Sequence, residues 1–560
     1  MTDTSVPPWG RADWRCLAAL LAVAVGLWVP RLRGPLDLRY DAGVYYILGT
    51  SLAQGRGYRL LNEPGAIEAI QYPPLLPAVA AVAERVLGTD DPAMVGHWLR
   101  LGSVLLYAGY AAAVYLMSRR LLTPGYAFLV GVLSVIHSHT IFLSDFFAAD
   151  VPYAFLSTLF FAVGGGPAAG LLAVGAYALR SAGIALLAAW VAESLLRRRI
   201  RQVATRGAVA AAAVLAWVTY TAHVKASPAF AQPAYEYQRA GYQFYNVDYA
   251  ENMSYVDPFR PELGRVSRRE GLERVLENLR GMPMSLGEGV SVHRGWWRGE
   301  VDKVNQRLTS VQVPPWVADA AMILLCVPVL CGLVLLGLQG EALLVLYVGC
   351  SLFIIALTPW PIQFVRYLVP LTPFLSLAVV VVLAASARQA RASGALRWRA
   401  LQLGLLGVVA VIGGQQLVTL YRSMSKYPSP AVFTDRAGRR HEYRLFFYDR
   451  SWRLHDDGLD WLARQARPGE IIATSTPHWA YLRTGLPAVM PPYEVDPHRA
   501  AALLDRVPVT YLIVDQLSFL DVGRRYTIPA IQDAPDRWRL IYAENDSGPK
   551  IYRRMGDSAK

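Results

Sequence analysis

Long apolar runs recur from near the start of this chain to residue 420, and they restrict it to a membrane fold. A helix that crosses a bilayer takes ~20 mostly apolar residues. Such runs stand at 14–32, 97–117, 123–143, 150–164, 167–180, 182–197, 207–223, 316–338, 341–358, 364–385 and 400–420, which predicts about eleven transmembrane helices. The fourth and fifth are short. Gly164-Gly165-Gly166-Pro167 parts them and breaks any continuous helix, so they read as thin tilted spans or as a broken pair. The first run ends in Val29-Pro30-Arg31 without a small-residue cleavage pattern and is read as a span, not a cleaved leader.

Charge then orients the spans. The net charge of +13 could suggest a nucleic-acid binder, but the arginines cluster beside apolar runs and form no aromatic-studded basic patch in a hydrophilic segment, so nucleic acid is excluded. With a cytoplasmic N-terminus, the inner loops hold Arg119-Arg120, then Arg197-Arg198-Arg199 with Arg201 and Arg206, then Arg388, Arg391, Arg397 and Arg399. That is the positive-inside arrangement. An odd number of spans puts the C-terminal region on the outer face. The localisation expected is a bacterial inner membrane, multi-pass, with the lipid bilayer as the first partner.

Three hydrophilic stretches remain, all outside in this topology: 33–96, 224–315 and 421–560. The middle one is aromatic (Tyr235, Tyr237, Tyr242, Phe244, Tyr245, Tyr249) with a helical stretch near 266–280. The last alternates helical patterns (458–466, 478–484, 498–506) with apolar strand-like runs at 471–475, 509–515, 538–543 and 550–554. The fold class predicted is therefore a polytopic α-helical membrane protein of residues 1–420 followed by a small extracytoplasmic α/β domain of residues 421–560. The four cysteines (Cys16, Cys326, Cys331, Cys350) all lie in or beside apolar runs, so the hydrophilic segments fold without disulfides.

Ionisable residues at the outer ends of spans are the candidates for chemistry, because a charge at a low-dielectric boundary is costly unless paired or hydrated. Asp41 follows the first span in Tyr40-Asp41-Ala42-Gly43. Tyr45, Leu48 and Leu52 continue at helical spacing, so Asp41 should open an amphipathic helix on the membrane face. Asp145 and Asp150 lie in the next outer turn, Ser144-Asp145-Phe146-Phe147-Ala148-Ala149-Asp150. Arg180 and Arg366 begin or end spans on the same side. Helix-end charges and snorkelling arginines are the plain alternatives. The sharper role is a carboxylate base with guanidinium forks for a phosphate.

The order of these elements carries a resemblance. The Asp41 loop, Gly55-Arg56-Gly57-Tyr58, Tyr72-Pro73-Pro74, Asp150-Val151-Pro152-Tyr153, Arg180-Ser181-Ala182-Gly183 and Arg366-Tyr367 occur in an order that resembles the GT-C glycosyltransferases of family 39, the protein mannosyltransferase and aminoarabinose-transferase-like group. The similarity runs from about residue 14 to 385, and the tail resembles the extracytoplasmic domain of many bacterial members. The resemblance implies a polyprenyl-phosphate-linked sugar as donor and a glycan, lipid or protein as acceptor. It implies Asp41 as catalytic base, Asp150 with Asp145 as the second acidic site, Arg366 and Arg180 on the donor phosphate, and contacts from Tyr40, Tyr72 and Tyr367. Two departures matter. Aminoarabinose transferases carry a lysine just before their Pro-Pro where this chain has Tyr72, so the lysine–phosphate contact and the aminoarabinose donor do not carry over. Ala42 follows Asp41 where many relatives have a second acidic residue.

Dependence on a divalent metal is left open by the sequence, and no motif supports it. His137-Ser138-His139 has ligand-type residues, but positions two apart on a helix point in different directions, so they read as ordinary interfacial histidines. His478 and His498 lack ligand-spaced partners. The competing functions are a transporter, which would hold its ionisable groups near the midplane between repeats, and an envelope-assembly scaffold. The absence of an internal repeat and the outer position of the carboxylates favour a surface-acting enzyme.

Overall fold

The computed structural model describes residues 8–308, 312–426, 430–518 and 521–555. Helices occupy all eleven predicted spans. Among the described residues, six are long and apolar enough to cross a membrane, and the pair Pro124–Val135 and Ser138–Ser144 makes a seventh. Four shorter apolar helices complete the set: Asp150–Val163, Pro167–Leu179, Ser181–Leu196 and Ala342–Leu357. The chain is a multi-pass membrane protein. Its centre is the segment Pro361–Ser393, 89% of whose most apolar window is buried, whereas Ile200–Lys225 is 6% buried and turns its apolar surface outward.

Two spans depart from straight helices. The predicted span 123–143 bends by 61° between Val135 and Ser138. There His137 caps the second piece and its Nδ1 lies 3.0 Å from Thr140 Oγ1. His137 is thus buried within the bundle. Asp150–Val163 and Pro167–Leu179 are 14 and 13 residues long, roughly 20 Å each at 1.5 Å per residue. They fold back on each other through Gly164, Gly165 and Gly166, all at positive φ. This hairpin sets Asp150, at the start of one helix, beside Arg180, at the end of the other.

The loops are more deeply built in than their polarity implies. Helix Asp41–Ala53 has every residue from Ala42 to Ser51 buried, which corrects the expectation of an amphipathic surface helix. Leu75–Leu87 packs on one side of it and the tail helix Pro477–Thr484 on another. Gly43 permits the second contact, since a Cβ there would lie 2.9 Å from Leu38 O and 3.1 Å from His478 Cβ. The helical stretch expected near 266–280 begins with a Ser267/Glu270 capping box and runs on to Val290, past Pro283. Its second half is buried against Trp316–Leu338 at Gly287, where a Cβ would overlap Met322 O.

After the last apolar helix, Leu396–Lys426, the tail forms two sheets. Strands β1 (Ala431–Thr434) and β2 (Arg440–Tyr443) make an antiparallel hairpin. Strands β3 (Ile471–Ala473), β4 (Ala488–Val489), β5 (Val509–Val514), β6 (Trp538–Ala543) and β7 (Lys550–Arg554) form a mixed sheet in the order β4-β3-β5-β7-β6. Val509–Val514 is its central strand and is buried at every position but Thr510, as its apolar run requires. Helices Arg450–Gln465, Pro477–Thr484 and Pro497–Asp505 accompany these strands.

Buried polar contacts bind the tail to the helical bundle. Arg31 Nε donates to Leu445 O (3.0 Å), Arg39 Nη2 to Phe447 O (2.5 Å) and Arg100 Nη1 to Arg444 O (3.1 Å). Asn62 exchanges two hydrogen bonds with Ala488 of strand β4, its Nδ2 donating to the carbonyl and its own carbonyl accepting from the amide. Apolar residues of both parts belong to one continuous hydrophobic cluster.

Candidate active site

Four charged residues from three parts of the chain converge. Arg366 Nη2 donates to Asp41 Oδ2 (2.8 Å) and to Asp150 Oδ2 (3.2 Å). Arg180 Nη1 binds the other oxygen of Asp150. Side-chain exposure falls from Arg366 (31%) and Asp41 (19%) through Arg180 (17%) to Asp150 (2%). Asp150 is thus the enclosed anchor and Asp41 the accessible carboxylate. Two carboxylates and two guanidiniums sum to zero charge, which answers the high cost of an unpaired ion in such surroundings. The arrangement follows from local structure. Helix Asp41–Ala53 presents Asp41 in its first turn, the short-helix hairpin presents Asp150 and Arg180, and the five-residue helix Phe364–Leu368 presents Arg366 just before the Val369-Pro370-Leu371 turn.

Aromatic residues surround the quartet. Tyr367 lies under Arg180, whose guanidinium carbon is 5.5 Å from the ring centre, and its hydroxyl donates to Gln363 at 3.0 Å. Tyr72 is buried against Tyr45, with ring centres 4.7 Å apart, and faces Tyr249 and Tyr245. Tyr40, immediately before Asp41, stands at φ +55, a conformation that costs a non-glycine residue of order 1–3 kcal/mol. Trp452 of the tail holds it there by donating Nε1–H to the Tyr40 hydroxyl at 2.9 Å. Burial pushes that phenol up to about 12.

Asp145 takes no part in this cluster. It is buried in an ion pair with Arg100 (2.7 Å), and its second oxygen accepts the Phe446 amide at 2.9 Å. The two acids of one short turn therefore have different placements: Asp150 joins Asp41, and Asp145 fastens the tail.

Sequence reasoning gave no role to two residues that do reach the site. Tyr245, from the aromatic loop, donates its hydroxyl to Asp41 Oδ1 at 3.2 Å. His478, from the tail, packs edge-on against the Tyr245 ring with centres 4.6 Å apart. Burial pushes the His478 imidazole down to about 3, so it is neutral at pH 7. The density of tyrosines in the loop was the available signal for the first; the second had none. Among the described residues, no three His, Cys, Asp or Glu side chains converge as a metal site.

Of two cavities on these elements, the first is lined by members of the quartet and the second is not. The first, of about 250 Å³, is walled by Tyr40, Asp41, Phe142, Arg366 and Phe447. The second, of about 390 Å³, is almost wholly apolar, lined by Tyr58, Pro73, Pro74, Tyr177, Ala178 and Trp217, and comes within two residues of Arg180.

No protein-family profile matches the sequence, and no curated protein matches it. Solved structures do. The oligosaccharyltransferase of Archaeoglobus fulgidus, solved with a tethered acceptor peptide, superposes with a TM-score of 0.53 at 12% identity, covering 97% of this chain and 74% of that one. The chain has a GT-C fold. The same archaeal enzyme, AglB, in complex with an inhibitory peptide and a dolichol-phosphate gives a TM-score of 0.51 at 13% identity over 97% of this chain and 74% of that one. ArnT from Cupriavidus metallidurans bound to undecaprenyl phosphate is also similar, at 14% identity and a TM-score of 0.39, covering 98% of this chain and all of that one. The superpositions on the archaeal enzyme span both the bundle and the tail, and the charged quartet lies between helix ends and loops.

Proposed function

We propose that this protein is an inverting membrane glycosyltransferase that moves a sugar from a polyprenyl-phosphate-linked donor to an acceptor hydroxyl, with Asp41 as general base. The observation that carries the reading is the placement of Asp41 and Arg366 together on the wall of one cavity, with Asp150 and Arg180 behind them. The GT-C fold supports it, since the neighbours that share the fold include an oligosaccharyltransferase solved with dolichol-phosphate.

In this scheme the acceptor enters the cavity beside Tyr40. Its hydroxyl oxygen attacks the anomeric carbon and passes its proton to Asp41. The bond from that carbon to the phosphate oxygen breaks, and the polyprenyl phosphate leaves on the opposite face. Arg366 and Arg180 carry the growing negative charge of the leaving group. The apolar groove ending near Arg180 suits the prenyl chain, while Tyr72, Tyr249 and Tyr367 offer rings to the sugar. Tyr245 steers the carboxylate through its hydrogen bond.

The proposal places this chemistry on the extracytoplasmic face of a bacterial inner membrane, with residues 1–420 as the catalytic unit and 421–560 as an outer domain that covers the site. Purified protein should turn over a polyprenyl-phosphate sugar in detergent. A panel of such donors left intact, with acceptor extracts present, would count against an enzyme. Alkaline phosphatase fused after residue 430 should be active, and a stable inactive fusion would reverse the topology.

A further inference from the structure

A larger cavity, of about 580 Å³, opens elsewhere, between the end of helix Arg11–Trp28 and the β1–β2 hairpin. Val29, Pro30, Leu32, Pro430 and the ring of Tyr443 form its apolar wall; Arg33, Glu442 and Arg444 are its charged lining. All three charged residues are exposed. Among the described residues, none of their side chains forms a hydrogen bond or ion pair. Their backbones, by contrast, are fixed. The buried guanidinium of Arg100 donates from Nη1 to Arg33 O (3.0 Å) and Arg444 O (3.1 Å), so one group holds two free guanidiniums at the rim of one cavity.

The cavity also lies at the level where apolar helix gives way to polar surface. Val29 is exposed at the end of its helix, and Met94 and Trp98 are exposed one turn apart on the neighbouring helix Pro92–Arg119. Exposed tryptophan at a helix end marks a membrane–water interface. Arg33 borders a second cavity together with Met94 and Trp98, so the basic rim continues into this interfacial belt.

We propose that this cavity binds the headgroup of an aminophospholipid, its phosphate diester between Arg33 and Arg444 and its ammonium against Glu442. A guanidinium fork matches phosphate oxygens, and the lone carboxylate complements an amine. The acyl chains leave along Val29 and Leu32. A lipid seated there touches the first span and the tail at once and stabilises their contact. The assignment is independent of the glycosyltransferase reading.

The test is thermal unfolding of the full chain in detergent with dioctanoyl phosphatidylethanolamine, dioctanoyl phosphatidylglycerol, dioctanoylglycerol or inorganic phosphate. The amine lipid should raise the midpoint progressively with concentration, as linkage requires, and more than the glycerol lipid does. Arg33→Gln with Arg444→Gln should weaken its apparent affinity about tenfold or more, the value of a lost charge-assisted hydrogen bond. Glu442→Gln should remove the preference between the two phospholipids. Arg444→Lys, which keeps the charge and loses the fork, should be intermediate and serves if the double variant folds poorly. An unchanged affinity in the arginine variants, a shift of the same size from dioctanoylglycerol or phosphate, or an intact preference in Glu442→Gln would overturn the assignment.

Discussion

Arg366 lies 2.8 Å from Asp41 across 325 positions of sequence. The same Arg366 nitrogen also reaches Asp150, which Arg180 holds from the other side. One guanidinium thus bridges two carboxylates, and the four side chains neutralise one another.

Asp41→Asn keeps the shape of the side chain and its place in the helix but cannot accept the proton. Asp150 continues to hold Arg366, so the fold should be retained. Turnover should fall by ~10²–10⁴ with unchanged membrane insertion. Near-wild-type turnover of a polyprenyl-phosphate sugar by this variant would reduce Asp41 to a helix-end charge.

For Arg366 the informative comparison is alanine against lysine. Alanine removes both carboxylate contacts and should weaken apparent donor affinity strongly; lysine keeps the charge without the fork and should restore only part of it. Equal donor affinities across wild type, alanine and lysine would move the phosphate role to Arg180 or elsewhere.

Arg100→Ala tests how the tail is fastened. The substitution strips Asp145 of its buried partner and removes the donor to Arg444 O. Breaking a buried pair from one side costs ~3–5 kcal/mol. Lower thermal stability and faster proteolysis between residues 430 and 450 are expected. If both measures match wild type, Asp145 is not what secures the tail.

The pH dependence of stability should carry the mark of His478. Its folded value of about 3 lies below the ordinary ~6.5, so the unfolded chain binds the extra proton between those values. Stability from this residue is complete above about 6.5 and declines as pH falls towards 3. Buried His455, down to about 4, acts in the same direction. His478→Phe, which keeps a ring against Tyr245, should flatten the fall of the unfolding midpoint between pH 6.5 and 4.5. An identical slope in the variant would show that His478 is not the group responsible.

Much of this protein was legible along the chain, because burial in lipid and burial in a sheet both leave one-dimensional marks. Apolar run length placed helices at the predicted spans, and the apolar run at 509–515 with those at 471–475, 538–543 and 550–554 marked four of the sheet's strands, whereas β1, β2 and β4 left no such mark. Charges at span ends, being expensive where they stand, nominated Asp41, Asp150, Arg180 and Arg366. What these residues do for one another was decided by packing. No periodicity says that Asp150 meets Arg366 while Asp145, five residues earlier, turns to Arg100 and the Phe446 amide. Helix Asp41–Ala53 looked one-sided in sequence because its second covering face comes from residues 477–484, more than four hundred positions away. Tyr245 reaches Asp41, and His478 reaches Tyr245, only because the aromatic loop and the tail close over the helix ends. Local hydrophobicity fixes which segments leave water; which side chains then face each other depends on how the buried segments fit together, and only the tertiary structure decides that.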